Sequence, residues 1–161
     1  MKNLTFLLFL FGSLSINAQE SIPKRANLIS IESERLSNID LFKACVELLK
    51  EKGYPFNFID KDFYILSTRP QKFDKTKIEY MIDLTVTENK IQIRSYVRSL
   101  TSFSNYSDGT ATDNLNSWER GSYRKIKSSL WMHGWNKQSE LAQLIMDKVG
   151  GKPTYTTEVR D

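Results

Sequence analysis

Residues 77–99, "KIEYMIDLTVTENKIQIRSYVRS", decide the fold because apolar and polar residues alternate along two segments. A repeat of two residues is the pattern of a half-buried β-strand, and it does not fit an α-helix. A turn centred on Glu88 and Asn89 joins the two segments and sets Leu84 opposite Ile93. The apolar side chains of both segments then share one face, so the stretch is predicted to be a β-hairpin.

The other face of this hairpin supports the same register. It sets Asp83 against Arg94 and Glu79 against Arg98, with opposite charges directly across the two strands. Each such pair contributes about 0.2–1 kcal/mol. A shift of the register by one residue would direct the apolar side chains toward water, so both faces specify the same pairing.

An amphipathic helix is predicted within residues 37–55, "SNIDLFKACVELLKEKGYP". Ser37 or Asn38 can cap its first free amides, Gly53 supplies a left-handed terminating residue, and Pro55 prevents continuation. Its apolar face consists of Leu41, Phe42, Cys45, Val46, Leu48 and Leu49. The three- and four-residue spacing of this face predicts that it packs against the sheet.

The remaining elements follow from weaker patterns. Residues 27–33 predict a first strand, and residues 56–68 predict a hairpin with Lys61 and Asp62 in its turn, which sets Phe58 opposite Ile65. Further elements are a loop at 71–77, a polar loop at 101–117, a helical segment at 118–131 interrupted by Gly121, and a helix at 136–149 that ends at Gly150 and Gly151.

The predicted fold class is α+β: an antiparallel β-meander of about five strands with two helices packed on one face. Alternation in the central hairpin indicates that the opposite face is hydrated. That outer face carries Met81 and Tyr96 as a cross-strand pair among charges, with Arg94 beside them. We take these three residues as candidate binding residues.

The segments "LFKACVELLKEKGYP", "IEYMIDLTVTENKIQIRSYV" and "LAQLIMDKVGG" stand in an order that resembles small exported bacterial domains of unknown function with a TATA-binding-protein-like fold. The resemblance covers about residues 27–149 and rests on layout and hydrophobic pattern. It implies an antiparallel sheet backed by two helices, and it transfers no catalytic residue. The loop at 101–117 departs from the usual layout.

Residues 1–18 have the layout of a signal peptide: Lys2 at the start, an apolar run from Leu4 to Leu14, and a small-residue exit that predicts cleavage after Ala18. The run is too short for a transmembrane helix, which needs roughly 20 apolar residues. The alternative is a buried first helix. We therefore expect an exported protein, periplasmic or secreted, without a stable membrane anchor and with one domain at 19–161.

Composition narrows the chemistry. One of the 23 basic side chains lies in the leader, which leaves 22 against 19 acidic ones and a net charge of +3 without a basic block, so nucleic acid is not expected as a partner. The single cysteine, Cys45, cannot form an intrachain disulfide. The single histidine, His133, excludes a two-histidine metal site, and no phosphate-binding loop or nucleophile elbow is present, so neither metal nor cofactor is expected.

Two other groups of residues have a functional and a structural interpretation. Trp131 and Trp135 lie four residues apart on one side of a helix, where they either bind a sugar or a partner protein or anchor the helix in the core. Oxygen-bearing residues at 104–114 suggest calcium but match no established calcium loop, which favours a solvated connection. Asp60 and Asp62 fit a turn better than a catalytic pair.

The leading functional hypothesis is an exported non-catalytic domain that binds a protein or a cell-envelope component through the open sheet face, an edge strand or the 101–117 loop. One alternative is a hydrolase that uses His133 with a carboxylate supplied by the fold. Another is a small-ligand carrier with a cavity between the sheet and the helices. Oligomeric state and ligand identity do not follow from the sequence.

Overall fold

The computed structural model describes residues 21–100, 118–124 and 129–159. Across these residues the chain forms one antiparallel sheet and two helices, which confirms the predicted α+β class. The elements are β1 Leu28–Glu32, α1 Asn38–Glu51, β2 Phe56–Asp60, β3 Ile65–Thr68, β4 Gln71–Lys72, β5 Ile78–Thr87, β6 Lys90–Ser99, β7 Glu119–Arg120, α2 Leu130–Val149 and β8 Lys152–Thr156. The predicted leader, the predicted loop at 101–117 and its candidate calcium ligands lie outside the described residues.

The sheet is wider than the sequence predicts. Eight strands are present in the described part of the chain, in the order β2-β3-β5-β6-β1-β8, with β4 beside β5 and β7 beside β6. Two of the additional strands, β4 and β7, have only two residues each. The third, β8, contains Lys152 and Pro153, which disguise a strand pattern, and it pairs along the whole of β1.

The predicted register of the central hairpin is confirmed at every pair. Leu84 lies opposite Ile93 and Glu79 lies opposite Arg98. Glu88 and Asn89 have φ values of 49° and 58°, the left-handed backbone that a two-residue turn of type I′ requires. The apolar face of β5 and β6 is buried beneath both helices, and the outer face is half-buried.

Helix α1 has the predicted boundaries. The hydroxyl of Ser37 accepts a hydrogen bond from the backbone N–H of Asp40 at 3.3 Å, and Gly53 follows the helix with φ 75°. Leu41, Phe42, Cys45, Leu48 and Leu49 are its buried residues. Burial raises the pKa of the Cys45 thiol to about 12, so at neutral pH this side chain is an uncharged apolar group.

The predicted pairing of the β2–β3 hairpin is wrong. Phe58 lies opposite Ser67 and Asp60 opposite Ile65, because the turn spans residues 61–64 rather than two residues. The Asp60 carboxylate accepts the backbone N–H groups of the second and third residues after it at 2.9 and 3.0 Å, which stabilises the longer turn. An irregularity between Phe56 and Phe58 completes the shift.

The predicted helical segment at 118–131 is wrong over residues 118–124, because residues 119–120 form β7, whereas α2 begins at Leu130 after its N-cap Ser129. The reason is a close approach of two backbones. A Cβ atom on Gly121 would lie 2.8 Å from the backbone carbonyl carbon of Gly134 and 2.8 Å from the backbone nitrogen of Trp135, both in α2. Glycine at position 121 therefore lets this segment pack against α2 in an extended conformation, and the segment does not form part of a helix.

Gly134 of α2 is the other half of this contact. A Cβ atom there would lie 2.7 Å from Cγ1 of Val97 and 2.9 Å from the Cα atom of Gly121. We predict that Gly134→Ala lowers the free energy of unfolding by about 1–3 kcal/mol through overpacking. Helix propensity alone would favour alanine over glycine by about 1 kcal/mol, so the two effects have opposite signs.

Urea denaturation followed by circular dichroism measures this change. The matched control is Asn136→Ala, on an exposed position of the same helix, which should leave stability unchanged or raise it. An increase in stability for Gly134→Ala would show that the backbone contact does not restrict this position.

Candidate binding surface

The outer face of the sheet brings the predicted binding residues of β5 and β6 together. Met81 lies opposite Tyr96, and Arg94 is two residues along β6 on the same face. All three side chains are half-buried. The predicted juxtaposition of these residues is therefore present in the structure.

A second arginine and a glutamate complete a charged cluster around Arg94. The Arg94 guanidinium donates two hydrogen bonds to the Glu158 carboxylate, from Nε at 2.9 Å and from Nη2 at 2.7 Å. Nη1 of Arg120 donates a third, also at 2.7 Å. We call Arg94, Arg120 and Glu158 the arginine clamp. Hydrogen bonds and charge from both guanidiniums, led by Arg94, hold the pKa of Glu158 below its ordinary value, and Glu158 in turn raises the pKa of Arg94.

Glu158 is also fixed through its backbone. The Asn27 side-chain amide donates to the Glu158 carbonyl at 2.9 Å, and its oxygen accepts the Glu158 N–H at 2.8 Å. This exchange aligns segment 157–159, which follows β8, beside the start of β1. Sequence reasoning missed Arg120 and Glu158, because they meet Arg94 only through contacts between distant parts of the chain.

One predicted cross-strand ion pair is formed and the other is replaced. Glu79 and Arg98 pair at 2.7 Å, as predicted, and the Arg98 guanidinium lies 4.5 Å from the ring centroid of Trp118. Asp83 faces Arg94 in register, but the Arg94 guanidinium binds the Glu158 carboxylate instead. The Oδ1 atom of Asp83 is consequently buried without a hydrogen-bond partner.

The two predicted tryptophans have different environments. Trp135 is 2% exposed and packs against the rings of Tyr123 and Tyr155, so the core interpretation applies to it. Trp131 is half-buried at the start of α2, and its indole N–H donates to Glu119. The Arg124 guanidinium lies 4.8 Å from the Trp131 ring centroid, so one face of this ring is already occupied.

The free edge of β2 carries an exposed apolar group. Phe58 is 49% exposed, Phe63 71% and Ile65 36%. We call these three residues the hairpin patch. Phe58 and Ile65 both lie on the outer face of the sheet, and Phe63 belongs to the turn between their strands. Patches of clustered large apolar side chains on a surface mark interaction sites more often than isolated ones do.

The two edges of the sheet differ in their protection. Within the described residues no strand pairs with the far side of β2, so its outward backbone groups are open to another chain. At the opposite edge, β8 carries Lys152 and Pro153, residue types that discourage pairing. The edge that carries the hairpin patch is therefore also the less protected edge.

His133 does not form an acid–base arrangement with the residues that the structure describes. Its ring is half-buried and its centroid lies 5.4 Å from that of Phe73. Across residues 21–100, 118–124 and 129–159, no carboxylate or hydroxyl hydrogen-bonds to the imidazole. The hydrolase alternative thus lacks an orienting group in this part of the chain.

The described segments also give little support for a metal site, a membrane-spanning helix or a carrier cavity. These segments contain no group of three or more histidine, cysteine, aspartate or glutamate side chains placed to hold a metal ion. None of their helices is long and apolar enough to cross a membrane. An open depression of about 570 Å³ is lined by Glu32, Ser33, Glu34, Arg35, Val149, Gly150, Gly151 and Lys152. It lies beside the loops that flank β1 and α2, not between the sheet and the helices, where a carrier would need its cavity.

No protein-family model and no curated protein matches this chain. The geometry of its own surface is therefore the evidence for function. Two features of that surface differ from an ordinary solvated face: the arginine clamp near β1 and the hairpin patch at the edge of β2.

The clamp predicts a defined pH dependence of stability. Because the pKa of Glu158 is lowered in the folded state, its stabilising contribution is complete above the ordinary carboxyl pKa of about 4.3 and is lost as the pH falls through the lowered value. Glu158→Gln should lower the free energy of unfolding at pH 7 by about 1 kcal/mol or less, because the Glu158 side chain is still 29% exposed and water partly screens its charge. The difference from the wild type should shrink progressively as the pH falls below about 4.3.

Urea denaturation at pH 7 and at pH values below about 4.3 checks this prediction. Glu34→Gln serves as the control, since Glu34 is exposed and forms no ion pair among the described residues. A difference between wild type and Glu158→Gln that does not shrink anywhere in the acid range below about 4.3 would contradict the role of the ionised carboxylate.

Proposed function

We propose that this chain is an exported, non-catalytic domain that binds a protein partner at the edge of its sheet. The observation that supports the proposal best is the hairpin patch, in which three large apolar side chains are exposed beside an unprotected strand. A folded protein gains nothing in stability from exposing them, whereas a partner that covers them removes apolar surface from water. Burial of one such side chain contributes roughly 1.5–3 kcal/mol.

The occupant that fits this edge is an extended segment of the partner that adds to β2 as a further strand. Strand addition uses the outward N–H and C=O groups of β2, and an apolar side chain of the segment on the outer face would rest against Phe58. The irregularity at Asn57 limits regular pairing to residues 58–60. The added strand is therefore short, and the patch supplies much of the binding energy.

The non-catalytic part of the proposal is supported by the state of the reactive side chains. Cys45 is a buried, protonated thiol, and the His133 ring packs beside Phe73. Two helices pack on one side of an antiparallel sheet, which is the arrangement implied by the resemblance to exported domains of TATA-binding-protein-like fold. The resemblance itself remains an expectation from the sequence.

A photo-cross-linking amino acid in place of Phe58 tests the proposed surface in cells that produce the full chain. We predict a discrete cross-linked species that disappears when Phe63→Asp and Ile65→Asp are added, because charged side chains abolish the apolar contact. The same cross-linker in place of Thr154, on the exposed part of β8, is the matched control and should give no such species.

The experiment supports the proposal only if cross-linking depends on the hairpin patch, because capture of a protein by itself does not support it. Cross-linking that persists after both aspartate substitutions would overturn it. A species of twice the chain mass would replace the proposed partner with a second copy of this chain. Slower hydrogen exchange at the amides of residues 58–60 in the purified complex is expected for strand addition and not for contact through side chains alone.

Export is a separate part of the proposal. We predict that the protein recovered from its producing cells begins at Gln19, which mass spectrometry of the amino-terminal peptide identifies. Ala18→Arg should block cleavage, because the exit site needs a small residue. Recovery of the uncleaved wild-type chain from the cytoplasm would refute export.

A further inference from the structure

The arginine clamp has the geometry of a carboxylate-binding site. Arg94 presents its Nε and Nη2 atoms to the two oxygens of one carboxylate, the two-point arrangement in which guanidinium recognises carboxylates most strongly. Arg120 binds one of the same oxygens from a different strand. Nη2 of Arg94 also donates to Oε1 of Gln92 at 3.0 Å, which fixes the orientation of the guanidinium.

The present occupant of this site belongs to a lightly held segment. Residues 157–159 follow the last residue of β8 and form no strand pairing. Among the residues that the structure describes, the hydrogen bonds that hold Glu158 outside the clamp are the two exchanged with Asn27. Opening of this short segment breaks the two bonds with Asn27 and removes the carboxylate from the clamp.

Release would leave an excess of positive charge that is poorly solvated. The side chains of Arg94 and Arg120 are only 17% and 24% exposed, and a half-buried guanidinium without a partner is unfavourable. Asp83 faces Arg94 and can take over one of the two charges. The backbone of β5 lies two strands, or about 10 Å, from that of β7, and within the described residues no ion pair joins Asp83 to Arg120.

We propose that Arg94 and Arg120 form a binding site for the carboxylate of an acidic ligand, and that Glu158 is an internal occupant which the ligand replaces. The site is distinct from the hairpin patch and does not depend on the function proposed for it. An acidic peptide segment and a free small dicarboxylic acid share the required chemistry. The effective local concentration of Glu158 keeps the wild-type affinity low until segment 157–159 is released.

The test is a titration of wild type and Glu158→Gln with two probes, an acetylated triglutamate amide and succinate, followed by isothermal calorimetry at low salt. We expect Glu158→Gln to bind at least one probe ten-fold or more tightly than the wild type. Adding Arg120→Gln should abolish this gain, and adding Asp83→Asn should increase it, since Asp83 competes for Arg94. Glu79→Gln is the matched control, because it frees the single guanidinium of Arg98 on the same face.

Each outcome decides the proposal. A gain for triglutamate alone assigns the site to an acidic protein segment, and a gain for succinate as well assigns it to free carboxylic acids. No gain for either probe, or an equal gain in Glu79→Gln, overturns the proposal and leaves the clamp as an anchor for segment 157–159. Asn27→Ala is an independent second variant, since it loosens the segment without removing a charge and should also raise the affinity for the probe.

Discussion

The turn at Glu88 and Asn89 is the constraint on which the rest of the structure depends. Both residues adopt left-handed backbone, and the resulting two-residue connection permits a single register between β5 and β6. That register directs one set of side chains beneath the helices and the alternate set to the outer face. The turn also positions α1, because the Asn89 N–H donates to the side-chain oxygen of Asn38 at 2.8 Å.

The position of α2 follows from a discontinuity along the far edge of β6. The neighbour of β6 is β1 as far as Ile93 and β7 from Tyr96 onward. In the gap, buried Gln138 of α2 donates to the Ile93 carbonyl at 2.6 Å and accepts from the Ser95 hydroxyl at 3.0 Å. These bonds satisfy polar groups that would otherwise be buried unpaired, and they hold α2 where Gly134 meets Gly121. The same arrangement places β7, and with it Arg120, beside the clamp.

Local patterns predicted those parts of the fold that local chemistry determines. The alternation around Leu84 and the cap at Ser37 need no information from distant residues, and both predictions are confirmed. The turn after Asp60 is predicted, but its length is wrong, because a side chain that bonds to the backbone outweighs the hydrophobic pairing. Glu158 carries no local signal, since it is separated from Arg94 by 64 residues. Gln138 did carry a local signal of burial, because its position continues the buried stripe of α2 between Trp135 and Ala142.

Stability alone does not account for either feature of the outer surface. Replacing buried or half-buried ion pairs with apolar side chains is often neutral or stabilising, so two guanidiniums around one carboxylate are a poor way to hold segment 157–159. Exposed aromatic side chains such as Phe63 add nothing to the core and expose an open edge to aggregation. In the two proposals, a carboxylate ligand replaces Glu158 at the clamp and a protein partner covers the hairpin patch. The proposed contacts therefore differ in chemistry, because one requires negative charge and the other requires apolar side chains.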